Sequence, residues 1–187
     1  MMNKKYITQA LSLIIVLIMI TGCVQVDEST GIDSNYNPEE RLRELNITLP
    51  TPPQPVANYV NGVRAGNLIF LAGKGPKYPD GRELTGKLGG NITIDQGYEG
   101  ARQTAINQLS VLKEMLGDLN KVKRIVKVLG LVNSSPNFID QPKVVNGFSD
   151  LMVDVFGEKG KHAELQLELI HYLEVSSEIE LVVEVYD

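Results

Sequence analysis

The stretch "GKHAELQLEL", Gly160 to Leu169, places three long polar side chains, Glu164, Gln166 and Glu168, at alternate positions, with Leu165, Leu167 and Leu169 between them. Two carboxylates and an amide on one face of a strand could build a site, face solvent, or occupy places meant for something else. The same alternation also describes a half-buried strand with a solvated face, so an acid site and a plain surface both remain open. "GRELTGKL", Gly81 to Leu88, has the spacing of a phosphate-binding loop. Leu88 stands where magnesium needs a hydroxyl, however, and Glu83 would repel phosphate, which argues against a nucleotide. His162 and His171 have no cysteine near them, so no metal centre is expected and the two read as a solvated pair. No G-x-S-x-G elbow occurs and neither histidine pairs with an evident serine, so triad hydrolysis is not expected either.

The elements that must position these side chains are legible from periodicity. "LPTPPQPV", Leu49 to Val56, is too rich in proline for helix or paired strand and suits an extended lead-in. Asn58 to Gly73 reads as a hairpin turning near Ala65-Gly66-Asn67, with Leu68 to Leu71 its apolar second strand; a short strand is possible over Arg82 to Leu84. Ala101, Ala105, Leu109, Leu112 and Leu116 recur at steps of three and four, which predicts an amphipathic helix between Thr93 and a stop at Gly117. Asn120 to Ser135 is a largely buried strand, Gln141 to Phe156 a second helix, and Ala163 to Tyr172 and Glu178 to Val185 two closing strands. The order predicts an α+β fold in which two helices cover one face of a mixed sheet.

Composition bounds the function. A chain of 187 residues with 43% hydrophobic and 22% charged content describes one globular domain with a short attachment. Eighteen Lys and Arg against 23 Asp and Glu, with no basic stripe, make nucleic acid an unexpected partner.

The attachment is N-terminal: Lys4 and Lys5, then the apolar run Ala10 to Ile20, then "TGC". The run is too short to span a bilayer, which takes about 20 residues. "ITGC", Ile20 to Cys23, resembles the lipobox of bacterial lipoproteins, which implies cleavage after Gly22 and lipid on Cys23. Cys23 is the only cysteine in the chain, so no intrachain disulfide is available to the exported domain. Residues 1–22 thus read as a signal peptide, 23–38 as a polar tether and 39–187 as the domain. Losing Lys4 and Lys5 and no acid moves the net charge from −5 to −7, so a membrane tie rests on the lipid and not on anionic headgroups.

Four stretches, "LPTPPQPVANYVNGVRAGNLIFLAGKGP", "GYEGARQTAINQLSVLKEMLGDLNKVKRIVKVLGLVN", "DQPKVVNGFSDLMVDVFGEKGKHA" and "SSEIELVV", resemble the Rid family of reactive-intermediate deaminases, also called YjgF or L-PSP, over Leu49 to Val185. The resemblance implies a chorismate-mutase-like α+β subunit and a homotrimer with its sites in the clefts between subunits. It also implies hydrolysis of enamines and imines such as 2-aminoacrylate to a 2-oxo acid and ammonia, with no cofactor. In the family an arginine after the "KHA" stretch clamps the substrate carboxylate, a task suited to guanidinium geometry. Carried over by motif, Tyr59 is the cleft tyrosine, Asn146 the asparagine near it and Glu178 the acid that positions water. Each also has a plain structural reading, as core tyrosine, helix-surface amide and exposed edge carboxylate.

Two departures accompany the matches. The "SGQ" of typical members is here Ala72-Gly73-Lys74, without the cleft hydroxyl, and the clamp position is Glu164. A carboxylate there repels a carboxylate substrate, so the resemblance implies impaired deamination and, as an alternative, a trimer that binds a small ligand or a protein without catalysis. The family likeness stops at Ala163 and resumes near Glu174. Back-translating from Ala163 with permitted codons and inserting one base after the alanine codon yields A-R-I-A-V-G-V-D-S-L-P, the family's own run with its arginine. Glu164 to Leu173 therefore reads as a compensated frameshift, either a sequencing error over an active gene or a real lesion. In the lesion the strand would persist by alternating and burying its leucines.

Overall fold

The structure is a computed structural model and describes residues 36–187 apart from 53, 54, 56 and 170–173. The signal, Cys23 and most of the tether lie outside the described residues, as does His171. Among the described residues the order is α1 (Pro38–Glu44), β1 (Gly62–Ala65), β2 (Leu68–Lys74), α2 (Ile94–Leu116), β3 (Val122–Asn133), α3 (Gln141–Phe156), β4 (Ala163–Leu169) and β5 (Ser177–Val185).

The predicted α+β architecture is present. One sheet runs β1-β2-β5-β3-β4, antiparallel except for the parallel pair β3 and β4, and α2 and α3 carry the core against one face. Helix α2 begins where its sequence says it should. Thr93 accepts from Gln96 N at 3.2 Å while Gln96 returns its side chain to Thr93 N at 2.9 Å, and Gly117, at φ 73°, ends it in the left-handed conformation. The predicted stripe from Ala101 to Leu112 is fully buried.

Small residues set the layer spacing. A Cβ on Gly147 of α3 would stand 2.0 Å from Tyr98 O of α2, so the helices meet backbone to backbone there. A Cβ on Gly130 of β3 would stand 2.7 Å from Val145 Cγ2, so α3 sits directly on the central sheet at that point.

Three expectations change. Helix α1 was not anticipated; Asn37 caps it, accepting from Glu39 N at 3.0 Å, and Glu39 then ties it to Lys113 Nζ at 2.6 Å and Leu119 N at 2.9 Å. The short strand over Arg82 to Leu84 is reduced to isolated bridges, Lys77 with Glu83 and Thr85 with Val175. The leucines of β4 are not buried. Leu165 and Leu167 are 47% and 45% exposed, because parallel pairing sets them opposite Leu129 and Leu131 on the sheet face away from the helices. The same register sets Glu164 opposite Val128 and Gln166 opposite Gly130, on the helix-covered face.

Candidate functional site

The expected cleft residues fall into two groups. At the end of β2, Lys74 pairs with Ile179 after a bulge, which brings Ala72-Gly73-Lys74 beside the start of β5. Gly73 and Glu178 are in close contact: a Cβ at 73 would stand 2.1 Å from Glu178 Oε1. Glu178 is therefore half-buried against a glycine, not an exposed edge carboxylate. Lys74 Nζ donates to Asn61 Oδ1 at 2.8 Å; partial burial lowers its pKa and the Glu178 charge partly offsets that. Beneath this corner Gln108 Nε2 donates to Ala72 O at 3.0 Å and Ile179 O at 2.8 Å, fixing both strand ends to α2. Gln108 falls seven positions after Ala101 on the apolar stripe, and a polar residue in that stripe was the signal available in the sequence. Tyr59, at 47% exposure, lies just before β1 and is not a core tyrosine. A cavity of about 290 Å³ opens here, lined by Val60, Val63, Phe70, Ala72, Glu180 and Val182 among others.

The second group gathers at β4, the sheet edge beyond β3. Glu164 accepts from Ser149 Oγ of α3 through Oε2 and from Gln166 Nε2 through Oε1, and His162 Nε2 lies 3.3 Å from Oε2. Burial pushes the Glu164 pKa up, but hydrogen bonds with His162, Ser149 and Gln166 outweigh it and hold the carboxyl below its usual range. At the position of the expected clamp stands an ionised carboxylate. Asn146 is exposed on α3 one turn before Ser149, on the same side of the helix, as a helix-surface amide.

Two readings of the histidines are overturned. His162 is not solvated: its side chain is 4% exposed, and Nδ1 lies 2.7 Å from Gly160 O. It also has a serine partner, since Ser149 Oγ lies 3.1 Å from Nε2. Ser149 precedes His162 by more than three helical turns of chain and no motif links them, so only the docking of α3 on β4 brings them together.

The two groups do not meet within one chain. Glu178 pairs with Leu131, on the face away from the helices, whereas Glu164 points toward them. The fold that holds both groups has been seen before. The sequence model of the family described as "YjgF/chorismate mutase-like, putative endoribonuclease" matches residues 39–174. The chain belongs to this YjgF family. Its sheet and helices superpose on the crystal structure of Atu1372 of unknown function from Agrobacterium tumefaciens, with 36% identity, a TM-score of 0.74, and coverage of 80% of this chain and 92% of that one. A "putative endoribonuclease" from Shewanella oneidensis is similar at 29% identity and a TM-score of 0.76, over 80% of this chain and 99% of that one. Protein TCP17 of Trypanosoma cruzi is 44% identical over 123 residues, 65% of this chain and 77% of its own length. The YjgF match ends at residue 174, so the last strand, with Glu178, lies beyond it.

Proposed function

We propose that the protein is a lipid-anchored homotrimer of the imine-deaminase type whose hydrolysis of enamines and imines is impaired by Glu164. One observation carries this reading: the clamp position holds a carboxylate that Ser149, Gln166 and His162 keep ionised. A 2-aminoacrylate-type substrate presents its own carboxylate there. Removing one partner of a buried charge pair costs about 3 to 5 kcal/mol, and like charges in its place add repulsion. About 4 kcal/mol in the transition state is close to a thousandfold in rate.

The trimer is supported by the sheet face away from the helices. Val63, Phe70, Leu165 and Leu167 are about half exposed there, a large apolar surface for a single chain. It is supported too by the separation of the Glu178 and Glu164 groups on opposite faces, since a site using both needs a second copy. The attached lipid on Cys23 and an extracytoplasmic location rest on the lipobox resemblance.

The test is a coupled assay with the chain from Val24 onward and enzymatically generated 2-aminoacrylate. Pyruvate release little above the buffer rate is expected, and release matching an active deaminase would overturn the impairment. Light scattering on the same sample should give three times the chain mass. The alternative is an active deaminase whose residues 164 to 173 are a sequencing frameshift, and resequencing the locus decides it; codons incompatible with the shifted frame remove it. The endoribonuclease label of the Shewanella relative has little support in a surface with net charge −5. RNA cleavage that survives replacement of Asn146 and Glu178 would mark a separate ribonuclease site.

A further inference from the structure

His162 is enclosed at the start of β4, and both of its ring nitrogens face acceptors. Nδ1 lies 2.7 Å from Gly160 O, a carbonyl that can only accept, and Gly160 is pressed so closely on α3 that a Cβ there would stand 2.2 Å from Met152 O. Nε2 lies 3.3 Å from Glu164 Oε2 and 3.1 Å from Ser149 Oγ. The serine gives its one hydrogen to Glu164 Oε2, so toward the ring its oxygen can only accept. A hydrogen on Nδ1 alone would leave the Nε2 lone pair against an ionised carboxylate, and one on Nε2 alone would set the Nδ1 lone pair against Gly160 O. Only a ring with hydrogen on both nitrogens satisfies every contact.

The other charges around the ring are held elsewhere or lie in solvent. On its own turn Lys161 pairs with Glu158 at 2.7 Å and Lys159 lies over the Tyr186 ring, while on α3 Asp150 accepts from the Tyr98 hydroxyl at 2.9 Å. Lys127 of β3, opposite Ala163, is exposed. Arg124 of β3 and Glu184 of β5 share with His162 the lining of a cavity of about 610 Å³; Arg124 is exposed and Glu184 is paired with Lys123 Nζ at 2.8 Å. Among the described residues, Glu164 is the anion within ion-pair distance of His162.

We propose that His162 is a proton-operated latch, whose imidazolium pairs with Glu164 and fastens the edge strand β4 to α3 through Ser149. Among the described residues β4 is the outermost strand of the sheet and pairs with β3 alone, so its polar side chains are its hold on the helix layer. Loss of the second ring hydrogen leaves a lone pair facing either Glu164 Oε2 or Gly160 O, and it strips a half-buried carboxylate of its counter-charge. The start of β4 then loosens from α3. The closed state binds one proton more than the open state, so a rise in pH opens the latch and mild acid closes it. Only in stronger acid, below the usual glutamate range, does Glu164 itself take a proton and dissolve the pair. The device is independent of imine hydrolysis. It requires Glu164, so it belongs to this chain and not to one with arginine at that position.

The test uses the full chain in detergent micelles, labelled with nitrogen-15 at its two histidines, with His171→Gln to assign the His162 signals. The ring nitrogens by NMR, and hydrogen exchange of the β4 peptides by mass spectrometry, are followed from mildly acidic to alkaline pH. Both His162 nitrogens should be protonated wherever β4 is protected. As the ring loses one hydrogen, protection of β4 relative to the central strand β5 should fall at least about tenfold. His162→Gln should show the lower protection throughout, without that pH response. A ring with one bare nitrogen while β4 stays protected, protection unchanged as the ring deprotonates, or a His162→Gln chain that keeps the parent's pH response would overturn the proposal. If His162→Gln does not fold, the ring signals and exchange of the parent decide by themselves.

Discussion

The carboxylate of Glu178 occupies the volume that any side chain at residue 73 would need. A Cβ on Gly73 would stand 2.1 Å from Glu178 Oε1 and 2.9 Å from both Cγ and Cδ. The contact joins β2 to β5 where Gln108 ties both strands to α2, so neither residue can shift without the other.

Gly73→Ala should therefore displace Glu178 and destabilise the chain by about 1 to 3 kcal/mol, the usual cost of overpacking. In Glu178→Ala the obstruction is gone, and adding Gly73→Ala should then cost little. Urea denaturation of the two single variants and the double should give a coupling of roughly 1 kcal/mol or more. Additive effects would show that the two side-chain positions are not in contact.

The helix pair is more sensitive still. Because a methyl at residue 147 would meet Tyr98 O at 2.0 Å and Arg102 N at 3.2 Å, both backbone atoms of α2, Gly147→Ala must push the helices apart. A loss of about 3 kcal/mol is expected in urea denaturation. Gly66→Ala provides the contrast: nothing lies within 4 Å of its Cβ, and only its positive φ of 63° opposes the change. About 1 kcal/mol is expected there.

Glu164 ties stability to pH. Its pKa is depressed in the fold, so its contribution is fully present above the unfolded-state value and disappears as pH falls through the folded one. Glu164→Gln should melt below the parent at neutral pH, with a deficit on the order of 1 kcal/mol, and the two curves should converge on acidification below the ordinary glutamate range. A deficit that persists unchanged at low pH would mean the carboxylate charge has no part in it.

Lys74 reports on Glu178. Burial lowers the lysine's pKa and the glutamate's charge works against that, so Glu178→Gln should lower it further. Reductive methylation with carbon-13 and titration by NMR would follow the one amine, and a rise on replacement would contradict the arrangement.

Repair of the clamp separates one residue from its surroundings. Glu164→Arg alone should restore little imine hydrolysis, because Gln166 remains opposite Gly130, where Val145 already packs closely. Replacing the whole segment with the family's small and branched residues should restore pyruvate release from 2-aminoacrylate. Equal rates in the two variants would locate the whole defect at residue 164.

Local order in this protein was legible in its letters. The capping box at Thr93 and Gln96, the stop at Gly117, the buried stripe from Ala101 to Leu112 and the alternation of β4 and β5 all follow from interactions within a few residues along one helix or strand. The chain order of elements, and with it the α+β class, follows from the same signals. Which side of a strand is covered does not, because alternation is symmetric: "ELQLEL" permits buried leucines or buried polar residues equally. The parallel register of β4 on β3 turns Glu164 and Gln166, half-buried, toward the helices and leaves Leu165 and Leu167 on the other face. The meeting of Gly73 with Glu178, and of Ser149 with His162 and Glu164, likewise crosses from one element to another over long stretches of chain. Such contacts depend on how the sheet and helices close around a shared core, and no spacing within a single segment encodes them.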